Sequence, residues 1–170
     1  MTSKPWSDLT PTERRSLADG AGFATLERRP ASPNAQALLA DLMDRYVLPA
    51  KMQGRKTKLG AVSYAKLEEA LGAIVGELLV LAADGYAMKL STRTEAFADR
   101  SIKETAFWDV MSPLVAEGLV ERVRGYRDPA SFGPAKAPLF VVRPAIIELA
   151  DGHGVNGRLG AEHFPRRADH

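Results

Sequence analysis

Along most of this chain the apolar positions recur at helical spacing, and only over short stretches do they alternate or run together as strands require. Thr10, followed by Pro11 and by Glu13 three positions on, has the form of a capping box, so a first helix is expected to open there and stop near Gly20. Beyond a proline-containing stretch at 29–33, residues Leu38, Leu39, Leu42, Met43, Tyr46 and Val47 mark an amphipathic helix over 34–48 that ends before Pro49. Residues 51–59 are basic, contain Gly54 and carry no apolar period; they read as a linker. The longest helix is expected over 62–83, with Tyr64, Leu67, Leu71, Ile74, Val75, Leu78 and Leu81 on one face and Lys66, Glu68, Glu69 and Glu77 largely off it.

Residues 86–90 read as a short strand, and Thr92 precedes a two-turn helical stretch with Ala96 and Phe97 on its buried side. A further helix from about Ile102 carries Ala106, Phe107, Val110, Met111 and Leu114 at helical spacing and reaches Gly118, a natural terminator. Pro113 leaves two readings open. Either it kinks the helix by removing a hydrogen bond, or Ser112 caps a fresh turn with Pro113 at its first position. Residues 119–124 alternate as a strand does, and 139–143 form a short apolar run. The loop between them holds Pro129, Phe132, Gly133, Pro134 and Pro138, which predicts an antiparallel hairpin with a long tip. Residues 144–150 allow a helical turn or two. The fold class is therefore mainly α with a small β-hairpin (α+β). The expected organisation is an N-terminal arm with a short helix (1–33), an amphipathic helix and basic linker (34–59), a principal domain (60–150) and a mobile, Gly-rich tail (151–170).

Composition narrows the class without changing this picture. The 170 residues are 45% hydrophobic and 26% charged, near the globular average. There are no cysteines, which removes disulfides, thiolate metal sites and cysteine nucleophiles and fits a reducing compartment. The first residues lack the apolar run of a signal peptide, and the greasiest stretch, 70–83, is interrupted by Glu77 and reads as a core helix. A cytoplasmic protein without a membrane partner is expected. Net charge is only +2, but its distribution is uneven. Lys51, Arg55, Lys56, Lys58 and Lys66 form one block with no acid among them; Arg122, Arg124, Arg127, Lys136 and Arg143 form another, with Asp128 alone opposing them.

The order helix, short strand, short helix, longer helix, strand, loop, strand, together with the run Leu114, Val115, Ala116, Glu117, Gly118, Leu119, Val120, Glu121, Arg122 and the later Leu139, Phe140, Val141, Val142, resembles the helix-to-wing junction of bacterial winged-helix regulators and of winged-helix modules in plasmid replication initiators. The resemblance spans 60–150 and implies a winged helix-turn-helix with additional N-terminal helices. It also implies binding of double-stranded DNA, as a transcriptional regulator or a replication-related factor. The helix from Ile102 would enter the major groove, showing Lys103, Thr105, Trp108, Asp109 and Ser112, although Glu104 and Asp109 would repel phosphates. The wing, 125–137, would bring Arg122, Arg124, Arg127 and Lys136 to phosphates or the minor groove, and the segment 51–58, with Lys56 and Lys58, would lie along the duplex as an arm, the other reading of that segment being a polar linker. With Arg93 and Arg100 these complete the expected DNA-contact set. A homodimer through the N-terminal helices is a further expectation, with 34–48 as its best element; the other option is that this helix packs on its own domain. The competing function is protein recognition, with Trp108, Tyr126 and Phe132 as anchors.

Chemistry is sparse. Gly152, Gly154 and Gly157 match the glycine spacing of a dinucleotide-binding fingerprint but lack the strand, helix and acidic residue it needs. His153, His163 and His170 fall at no metal-ligand spacing. No phosphate-binding loop, nucleophile elbow or kinase signature occurs. The expectation is a non-enzyme without metal or cofactor.

Overall fold

Two of the helices begin where the sequence supplies a cap. In α1 (Pro11–Gly20) the Thr10 hydroxyl accepts the Glu13 N–H at 3.1 Å and the Glu13 carboxylate accepts the Thr10 N–H at 3.0 Å, the reciprocal pair that the spacing predicts. These bonds from Thr10, with Lys4 adding to them, hold the Glu13 carboxyl below its ordinary range. Ser32 opens α2 (Pro33–Leu42) in the same manner, its hydroxyl accepting the Ala35 N–H at 3.1 Å. The computed structural model describes residues 4–54, 56–82, 87–90, 97, 99, 102–123, 138–155 and 160–165, and over these the chain is mainly helical with one small mixed sheet.

Pro49 does not end the second helix as expected. The chain runs from α2 through a π-helical turn, Met43–Val47, into α3 (Leu48–Met52), with the Leu48 N–H bonded to the Met43 carbonyl five residues back. A proline ring crowds the carbonyl of the preceding turn and donates nothing to it, and the wider turn ahead of Pro49 accommodates both facts. Leu38, Leu39, Leu42, Met43 and Val47 are all buried in the chain's own core, so the leucine-rich face considered for a dimer is covered from within.

Next follows α4 (Ala61–Ala82), the central helix. From 70 to 79 every position is buried, as befits a helix surrounded by other elements. Glu77, expected to lie off the buried face, is only 2% exposed, and its carboxylate binds the equally buried Arg29 guanidinium and the Thr25 N–H. A buried carboxylate is tolerable only with such partners.

β1 (Gly22–Phe23) pairs in parallel with β2 (Met88–Lys89); β2 pairs antiparallel with β4 (Leu139–Val142), and β4 antiparallel with β3 (Val120–Val123). The sheet order is thus β1-β2-β4-β3. The predicted hairpin is present, with Val120 opposite Val142 and Val123 opposite Leu139. Its tip, 124–137, lies outside the described residues, as does the short helix expected after Thr92 apart from Phe97 and Asp99. β4 is apolar throughout because both its faces are covered. Phe140 and Val142 join the main core under α2, α4 and α5 (Glu104–Ala116), whereas Leu139 and Val141 join Ala18, Ala21, Ala87 and Val123, with Trp6 and Leu17 packed against them. The N-terminal arm is therefore a second layer on the sheet.

Gly118 and Gly154 end two helices by the same device. Each has φ near the left-handed value, +77° and +76°. After α5, the Leu119 N–H bonds Leu114 C=O and the Gly118 N–H bonds Val115 C=O; after α6 (Pro144–Gly152), Val155 bonds Ala150 and Gly154 bonds Asp151 in the same pattern. The apparent dinucleotide fingerprint is thus in part a helix cap. Residues 151–155 and 160–165, expected to be mobile, pack on the core through Val155 and Phe164, and His163 of α7 (Gly160–His163) meets the Ser32 hydroxyl at 2.6 Å. Polar composition hid two apolar side chains that are enough to dock them.

Candidate nucleic-acid interface

α5 is the element that the sequence singles out, and its packing decides which side it shows. Phe107, Val110, Met111, Pro113 and Leu114 are buried, and the helix runs through Pro113 without restarting at Ser112. At about 3.6 residues per turn, Thr105, Trp108, Asp109 and Ser112 share the opposite side. Thr105 and Ser112 are exposed; Trp108 and Asp109 are half-buried and flank them.

Each flank is held by a cation. Toward the hairpin, the Arg122 guanidinium lies 4.4 Å from the centre of the Trp108 ring. That ring in turn packs edge-on against Phe107 at 4.8 Å and lies 6.0 Å from Phe140. Arg122 alternates with Glu121 on β3, so it projects on the helix side of the sheet while Glu121 points to the opposite side, where it accepts the Trp6 N–H at 3.0 Å. Toward α3, the Lys51 ammonium meets the Asp109 carboxylate at 2.8 Å. The repulsion that Asp109 was expected to exert on phosphates is therefore partly neutralised, and Glu104 is half-buried in the first turn of the helix.

A groove of about 290 Å³ opens beside this second flank, where α3, the first turns of α4 and the first turns of α5 meet. Lys51, Lys66, Lys103, Ser63, Thr105 and Asp109 line it over an apolar floor that includes Leu67 and Ala106. Three lysines face one carboxylate. Among the described residues, neither Lys66 nor Lys103 forms an ion pair.

Of the expected contact set, Lys103 and Thr105 are exposed at the start of α5 and enter this groove. Lys56 and Lys58 are exposed on the loop between α3 and α4; Lys51, in α3, and Leu59, near the loop's end, also border the groove. Trp108 and Arg122 are brought together on the other flank. Arg93, Arg100, Arg124, Arg127 and Lys136, and the aromatic pair Tyr126 and Phe132, lie outside the described residues. The expected contact set omits Lys51, Ser63 and Lys66, although Lys51 and Lys66 stand in the first basic block. The acid-free run from 51 to 66 was the available signal, but the contact of Lys51 with Asp109 of α5 is made across 58 positions of sequence and has no local signature. No helix among the described residues is long and apolar enough to cross a membrane. No family model, curated protein or solved structure matches the chain.

Proposed function

We propose that residues 60–150 form a winged-helix domain that binds double-stranded DNA, with α5 laid against the duplex. The observation that carries this reading is the exposed Thr105–Ser112 stripe of α5, bounded on one side by Arg122 and on the other by the Lys51–Lys66–Lys103 groove. A helix presenting short polar side chains between two cationic margins suits a groove whose walls are phosphates. The connectivity supports it as well: the short strand after α4 pairs with the second strand of the hairpin after α5, which closes these elements around one core. Whether the target is a promoter or a replication origin is a question of sequence preference.

Protein recognition through Trp108 fits less well, because the half-buried ring is already capped by Arg122 and packed against Phe107.

The test is a titration with random-sequence duplex at two salt concentrations. If about four phosphates are neutralised, affinity falls roughly a hundredfold between about 50 and 200 mM salt. Binding that ignores salt, or none at low salt, refutes the reading.

A further inference from the structure

The Lys51–Asp109 pair sits at the lip of a groove that holds two more lysines and no second carboxylate. Two hydroxyl side chains, Ser63 and Thr105, line the same walls. Ammonium groups and hydroxyls over an apolar floor are the chemistry that takes up an oxyanion. A carboxylate already seated on one of those ammonium groups presents the same two-oxygen face as a phosphodiester.

We propose that this groove seats a backbone phosphate of the duplex, and that Asp109 is a built-in competitor for it that keeps non-specific affinity low. The proposal rests on the reading of the chain as a duplex binder and adds where the phosphate goes and what it displaces. On binding, the phosphate takes Lys66 and Lys103 and competes with Asp109 for Lys51. Asp109 is in this sense an affinity-setting residue rather than a contact residue. It opposes every DNA sequence alike, so the geometry of the α5 stripe has to supply the difference between a target and other DNA.

Asp109→Asn and Lys66→Met separate this role from a structural one. Lys66 is exposed and Asp109 half-buried, and thermal unfolding of each variant establishes that it is folded. Asp109→Asn is expected to tighten binding to random duplex about two- to fivefold, with a salt slope steeper than that of the wild type by up to about one unit. Lys66→Met is expected to weaken binding and flatten the slope by about 0.9. A pair that merely braced α3 against α5 would give the opposite for Asp109→Asn, a lower melting temperature with binding unchanged or weaker, and that result overturns the proposal. If the wild type binds steeply but both variants match it, the groove is excluded while the functional reading stands. If neither the wild type nor Asp109→Asn binds duplex at low salt, both are overturned.

Discussion

Glu77 interrupts the longest apolar run in the chain, and from the sequence that reads as a charge turned toward water. In the fold it is held instead between the Arg29 guanidinium and the Thr25 N–H, while Arg29 also donates to the Phe164 carbonyl at 3.3 Å. One carboxylate thus joins the central helix to the segment after β1 and, through Arg29, to the C-terminal residues. Removing one member of such a pair strands the other charge in the interior. Glu77→Ala is expected to lower the unfolding free energy by about 3–5 kcal/mol. Urea denaturation checks this, and an unchanged midpoint contradicts the assignment of Glu77 as a buried tie. Caps were legible at this scale because their signals are local: Thr10 with Glu13, and Gly118 after Leu114, lie within a few residues of what they satisfy. Glu77 was not, because its partner stands 48 positions away and only the fold brings it near.

At the scale of elements, periodicity located the helices and the hairpin but not what each one covers. The alternation of β3 and the apolar run of β4 were read correctly as strands; that β4 is greasy on both faces meant that something covers its second face, and the covering layer proved to be α1 with Trp6. β1 left no trace, since two residues cannot establish a period. The continuation past Pro49 was hidden because proline argues for a stop unless the turn before it widens, and a π turn has no sequence signature of its own. If the N-terminal layer is part of the core, removing residues 1–20 uncovers Ala87, Val123, Leu139 and Val141 together. The shortened chain is expected to bind a hydrophobic dye such as ANS and to lose a sharp thermal transition. A truncated chain that melts as cooperatively as the full one, with no dye binding, would place α1 outside the fold.

At the scale of the whole molecule, the described elements leave a face where a helical stripe is flanked by cations on both sides, and DNA binding is the function proposed for that face. Its constituents were half visible in advance: Lys103, Thr105, Trp108 and Arg122 stand on elements the sequence marks, whereas Lys51 and Lys66 acquire their place only when α3 and α4 close against α5. The most direct test follows the backbone amides by NMR while duplex DNA is added at low salt. Lys66, Lys103, Thr105, Asp109 and Ser112 are expected to shift together while Phe23, at the far edge of the sheet, stays still. Shifts centred on Phe23 or on α2 with α5 unmoved, or no shifts anywhere, would contradict this.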